Sequence, residues 1–290
     1  MGTQPAAEFA IQRDLTCPLD RVKPSSSIDT TGKHPGDSTI LTRFLTAEWR
    51  YLLMANFAVD PALLLQHVPA GTELDSYDGT VYLSVVGFLF LQTQVRGWSL
   101  PGHRSFEEVN LRFYVRRRAA DGWRRGVVFL REFVPRSAIA AVARRVYHEP
   151  YAAVPMSHDI ELIGGQLGDG AKVRYNWRYG ERWHSLSASV VSSPQPVDPG
   201  SLAEFITEHY WGYTRRRDGK TSEYQVTHPR WNVSAVSAAL LDCDIGAAYG
   251  AQYREALGAP APSAFVAEGS PITVFQWGSI GSGPDRLTGE

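Results

Sequence analysis

The sequence predicts a mainly antiparallel β protein of the α+β class, with a few covering helices. Three observations predict it. Apolar or alternating runs of strand length dominate the chain from about residue 44. Asp121-Gly122 and Asp218-Gly219 are hairpin-turn signals placed between such runs. Helical stretches are few and do not alternate regularly with strands, which argues against a parallel sheet.

Residues 1–43 are rich in Pro, Ser, Thr, Gly and Asp and read as a mobile extension. Residues 49–59 form a buried strand. Asp60-Pro61 then supplies an N-cap and a first-turn proline for a short helix over 62–67, stopped by Pro69 and Gly71. Residues 80–93 read as a long strand, and 106–116 and 123–134 as a hairpin about Asp121-Gly122. Residues 137–147 show a helical apolar face, with Arg144 and Arg145 off it. Strands over 159–166, 172–179 and 183–192 follow, joined by Gly-containing turns. Ser201 with Glu204 marks a capped helix to about 210. Residues 223–227 lie beyond the Asp218-Gly219 turn. A helix over 244–257 and a strand over 272–277 complete the pattern, and 278–290 form a polar tail. No repeat or linker interrupts 44–277, so a single domain is preferred, with a split at the Pro-rich 193–200 as the alternative.

Composition narrows the function. The 290 residues are 43% hydrophobic and 20% charged, as in a soluble globule with a sizeable core. A net charge of -1 argues against a dedicated nucleic-acid binder. No apolar run is long enough to span a membrane, and residues 1–10 lack a secretory pattern, so no membrane partner and a cytoplasmic location are expected. Cys17 and Cys243 form no Cys-x-x-Cys pair, the eight histidines lack ligand spacing, and no metal is expected. There is no Gly-x-Ser-x-Gly elbow, and Gly164-Gly165 and Gly168-x-Gly170 sit in a turn with no phosphate-binding helix after them. The arginines at 116–118, 124–125 and 215–217 flank hairpin turns and read as solvated charge that blunts strand edges.

The informative stretch is residues 106–116. Val109, Leu111, Phe113 and Val115 alternate with Glu108, Asn110, Arg112 and Tyr114. The first set is core. The second either faces water or lines an internal cavity. Val127, Val128, Phe129 and Leu130 on the partner strand are apolar on both parities, as in a strand covered on both faces, and this favours the cavity. Arg131 and Glu132 end that strand before a helix and need partners, because isolated buried charge is costly.

Several motifs, in order, resemble the YqjF-like bacterial family. They are Trp49-Arg50-Tyr51, Asn56-Phe57-Ala58-Val59-Asp60-Pro61, Val68-Pro69, the 106–115 run, Gly126-Val127-Val128-Phe129 and Pro150-Tyr151. That family is similar, more distantly, to acetoacetate decarboxylase. The resemblance implies a β-barrel or cone around a central cavity. In the decarboxylase an arginine and glutamates line that cavity, and a lysine just after a proline forms a Schiff base. Arg50 falls at the position of the cavity arginine, and Glu108 corresponds to a cavity glutamate. Here Pro135 is followed by Arg136-Ser137, and none of the four lysines (Lys23, Lys33, Lys172, Lys220) lies near that junction. Guanidinium does not deprotonate and cannot be the amine nucleophile, so Schiff-base decarboxylation is not expected.

The sequence therefore points to a pocket for a small anionic or carbonyl ligand. Glu108 and Arg50 are the candidate catalytic pair of a lyase- or hydrolase-like activity. Asn110, Arg112, Tyr114, Arg131, Glu132 and Arg136 are the candidate ligand-binding residues, and no cofactor is expected. A non-catalytic ligand sensor and a structural or partner-binding protein remain open, as does a homo-oligomer.

Overall fold

A computed structural model describes residues 42–99, 102, 104–135, 150–276 and 278–280. The expected helix over 137–147, with Arg144 and Arg145, lies outside the described residues, as does Arg136. The architecture is mostly strand with few helices, in one large mixed sheet. In chain order the strands are β1 (Arg43–Val59), β2 (Glu73–Leu74), β3 (Val81–Val95), β4 (Phe106–Ala119) and β5 (Gly122–Val134). Then follow β6 (Tyr151–Ala153), β7 (Met156–Glu161), β8 (Lys172–Tyr179), β9 (Arg182–Val190) and β10 (Gln195–Pro196). The last five are β11 (Trp211–Arg215), β12 (Thr221–Thr227), β13 (Asn232–Asp242), β14 (Ser263–Phe275) and β15 (Gly278–Ile280).

The pairing order runs β15-β12-β11-β5-β4-β3-β1-β14-β13-β9-β8-β7. Strand β12 pairs a second time, with β14, through Val226 and Thr227. The strands β1, β3, β4, β5, β11, β12 and β14 thus form a closed circuit of pairings. The parallel contacts β11–β5 and β5–β6 make the sheet mixed. Closing the circuit gives its strands two apolar faces, and two buried clusters fill them. On one face Leu53, Val85, Leu111 and Phe133 pack against Val173, Tyr175, Trp177 and Leu186 of β8 and β9. On the other, Leu52, Met54, Val86, Phe88, Val127 and Ala267 pack with Phe205 and Ile206 of the helix Leu202–Thr207. This is why β5 reads as apolar on both parities.

Local signals explain several elements. Asp60 Oδ1 accepts from the Ala62 amide at 2.8 Å, opening the helix Ala62–Leu65. Ser201 Oγ accepts from the Glu204 amide at 3.2 Å, while the Glu204 carboxylate accepts from the Gly200 amide at 2.6 Å. Other expectations shift. The helix expected over 244–257 breaks into Ile245–Ala248 and Arg254–Gly258, with Gly250 between. The last long strand begins at Ser263, ahead of the apolar run over 272–277, and Glu268, Gly269, Ser270 and Pro271 interrupt the alternation that would have marked it in the sequence. The strand expected over 159–166 ends at Glu161, and 163–166 form a turn. Strand β13 was not anticipated, since residues such as Ala235, Ala238 and Ala239 carry little strand propensity.

Two bulges decide which side chains turn inward. In β1, one extra residue between Arg50 and Leu53 disturbs the register with β3, and Tyr51 takes a left-handed φ of 55°. The Tyr175 hydroxyl donates to the Tyr51 carbonyl at 2.8 Å and supplies a partner at this irregular point. In β5, Leu111 pairs with Arg131 but Arg112 pairs with Phe129, so Leu130 is the extra residue.

Candidate functional site

A pocket of about 150 Å³ lies on the face of the closed circuit that carries Leu52, Phe88 and Val127. All seven strands of the circuit contribute side chains to its wall, as do Ile206, Thr207 and His209 at the end of the helix Leu202–Thr207. The wall is largely aromatic. Trp49 meets Phe88, Phe90 and Trp231 edge-on at 5.4, 5.8 and 6.3 Å between ring centroids. Phe90 stacks on Phe106 at 4.7 Å and His228 on Trp231 at 4.0 Å.

The polar side of the wall comes mainly from β4. Period-two alternation carries Phe106, Glu108, Asn110 and Arg112 into the pocket wall, with Val109 and Leu111 on the opposite face. Glu108 and Asn110 are buried, and the Asn110 amide donates to Glu108 Oε1 at 2.9 Å. The Tyr151 hydroxyl of β6 donates to Glu108 Oε2 at 3.4 Å. Burial pushes the Glu108 carboxyl up to about 7, against the lowering influence of Asn110, Tyr151 and the positive charge of Arg112. A carboxyl with that balance carries or releases a proton near neutrality.

Arg112 makes no ion pair with any described residue. Its guanidinium lies 5.7 Å over the Tyr114 ring, one Nη sits 3.9 Å from Met54 Sδ, and its buried Nε has no hydrogen-bond partner. Asn110 Oδ1 is likewise buried without a partner. Two histidines complete the polar set. Burial lowers His209 to about 4, despite Asp75 Oδ2 at 3.4 Å from its Nε2. Asp75 is held at about 2: burial would raise it, but His209 and Arg125 outweigh that, the latter at 2.7 Å. His228 is lowered to about 4, again by burial, and its Nδ1 sits 2.9 Å from the Pro229 carbonyl, which can only accept. Both rings are therefore neutral at pH 7.

Of the expected residues, Glu108, Asn110, Arg112 and Glu132 gather in the wall. Tyr114 is buried behind it, beside Ser84, whose Oγ donates to Asn56 Oδ1, so the Tyr114 hydroxyl donates to Ser84. Arg50 is not among the lining residues. It binds Glu48 Oε2 at 2.7 Å and the Gly269 carbonyl at 3.3 Å. The bulge at Tyr51 inverts parity, so Trp49 and Leu52, three apart, both line the pocket and Arg50 is displaced. Leu130 does the same in β5: Phe129 and Glu132 enter, whereas Arg131 lies 5.9 Å over the Tyr179 ring. The basic clusters are more structural than expected. Arg117 and Arg124 pair with Glu223, and Arg125 with Asp75, as half-buried bonds rather than free solvated charge. Trp49, His209, His228 and Trp231 were not anticipated, because no spacing groups side chains that meet only through the closed circuit.

Among the described residues no lysine lines the pocket. Lys172 pairs with Glu161 in an exposed contact, and Lys220 is at the β11–β12 turn. Among the described residues no three His, Cys, Asp or Glu side chains gather to hold a metal, and no helix is long and apolar enough to cross a membrane.

Residues 46–271 match the DUF2071 family, described as "Uncharacterized conserved protein (COG2071)". The chain is 28% identical over 184 residues to "Uncharacterized protein YqjF" of Bacillus subtilis, covering 63% of this chain and 72% of that protein. Its fold is similar to that of an acetoacetate decarboxylase-like enzyme from Sphingomonas wittichii RW1 (TM-score 0.59, 15% identity, 83% of this chain and 94% of that one). It is also similar to acetoacetate decarboxylase from Legionella pneumophila (0.54, 13%, 88% and 95%). A third similar fold is the enduracididine biosynthesis enzyme MppR complexed with pyruvate (0.53, 15%, 86% and 92%).

Proposed function

The chain belongs to the DUF2071 family, and from that premise we propose that it binds a small carboxylate or carbonyl compound in the pocket beside β4. The closed circuit of strands is read here as the barrel that holds this pocket. One observation carries the reading: Arg112, a permanent cation in the wall, has no ion-pair partner among the described residues. A half-buried charge without a counter-ion is costly, and a ligand carboxylate or polarised carbonyl supplies the missing acceptor. Asn110 and protonated Glu108 add neutral polar contacts beside it.

Glu108 is the group suited to move a proton to or from such a ligand, so a lyase- or hydrolase-like step is compatible with the site. A Schiff base is not, because no lysine among the described residues lines the wall. The similar fold complexed with pyruvate supports the ligand class and nothing finer.

Binding is tested by thermal shift and calorimetry with small carboxylic and keto acids on the wild type and Arg112→Ala. The reading expects stabilisation of the wild type by mass action and a loss of affinity of about tenfold to a hundredfold in the variant, as for one charge-assisted hydrogen bond. Borohydride added with acetoacetate should trap no lysine adduct. Equal affinity in both proteins, or an adduct, would sink the reading. A non-catalytic binder is separated from an enzyme by Glu108→Gln, which then leaves binding intact with no turnover to lose.

A further inference from the structure

The polar groups of the site occupy one side of the wall, and the rest has a chemistry that a bare keto acid does not use. Trp49 and Trp231 stand edge-on to one another, and Trp49 meets Phe88 and Phe90 edge-on as well. Phe90 and Phe106 lie with planes 13° apart. Flat walls meeting at edge-to-face angles offer both faces and edges to an inserted ring. A two- or three-carbon acid would leave most of this surface against void or water, forfeiting the contacts that a filled cavity makes.

Size restricts the occupant from the other side. The pocket measures about 150 Å³. An apolar cavity of about 150 Å³ in another protein binds benzene. The space here therefore suits one six-membered ring with a short polar head better than a fused ring system or a long acyl chain. We propose that the ligand is a monocyclic aromatic acid or carbonyl compound, its head on Arg112 and Asn110 and its ring among Trp49, Phe88, Phe90 and Trp231. This names the ligand class of the site proposed above and rests on that reading. Trp49 also brings a buried indole Nε1 with no acceptor, a donor that a ring substituent could meet.

The test compares dissociation constants of the full chain for benzoate and phenylacetate with those for pyruvate, acetate and cyclohexanecarboxylate. The proposal expects the aromatic acids to bind at least tenfold more tightly than pyruvate or acetate, and more tightly than the cyclohexyl acid. Phe88→Leu, which keeps an apolar side chain of similar bulk, should narrow that preference several-fold by weakening the aromatic acids more than pyruvate. Pyruvate binding as tightly as the aromatic acids, or cyclohexanecarboxylate matching benzoate, overturns the aromatic assignment and leaves the Arg112 pocket standing. Failure of every acid to bind overturns both.

Discussion

Replacing Glu108 by glutamine is expected to stabilise the protein at alkaline pH and to leave it nearly unchanged in acid. The sign follows from the raised pKa. In the unfolded chain the carboxyl loses its proton near the ordinary value of 4.5; in the fold burial holds the proton until about 7. Between those values the folded state binds more protons than the unfolded one, so stability falls as pH rises. Above the folded value the loss is complete, at about 3 kcal/mol for a shift of this size. Glutamine keeps the shape and the acceptor for Asn110 and never ionises. Unfolding curves of both proteins at pH 4.5 and pH 8.5 should coincide within error at the first. At the second they should differ by roughly 6–12 °C in Tm in the variant's favour. A variant destabilised equally at both values would mean that Glu108 is already solvated.

Gly269→Ala should be strongly destabilising. The residue has a φ of 80°, where a side chain costs about 1–2 kcal/mol. An added Cβ would also fall on the Trp49 carbonyl, a backbone atom that cannot swing aside, and 2.8 Å from Leu52 Cδ1. Trp49 and Leu52 both line the pocket, on either side of the β1 bulge. The expected loss is at least ~3 kcal/mol, at the upper end for single substitutions, together with weakened ligand binding. Gly79→Ala is the control: its φ of 76° is similar but a Cβ there meets nothing within 4 Å, so only the backbone cost of about 1–2 kcal/mol applies. Similar losses in the two variants would show that close approach at the bulge is unimportant.

Much of this was legible in sequence because it rests on local rules. Strict alternation placed Glu108, Asn110 and Arg112 on one face of β4, and it held because the bulge opposite Leu111 and Arg112 falls in β5, while β4 runs in unbroken register with β3. The Ser201–Glu204 cap and the Asp-Gly turns are equally short-range. Arg50 and Arg131 were misplaced for a single physical reason. A bulge inverts parity by one residue, and it is set by strand closure and by contacts such as Tyr175 to Tyr51, 124 residues apart. The aromatic wall was invisible for a related reason. Trp49, Phe88 and Trp231 share no period, and only the circuit of pairings brings them together. Residues with a local periodic signal could be read, and residues whose roles depend on closure could not.

The central claim is that Glu108 and Asn110 are buried in the pocket wall beside Arg112. It is tested most directly by carbon-13 NMR titration of the Glu108 side-chain carboxyl, assigned by its disappearance in Glu108→Gln. A midpoint near 7 that shifts when an aromatic acid is added agrees with a buried, ligand-facing carboxyl. A midpoint at the ordinary value near 4.5, insensitive to any acid, would contradict it.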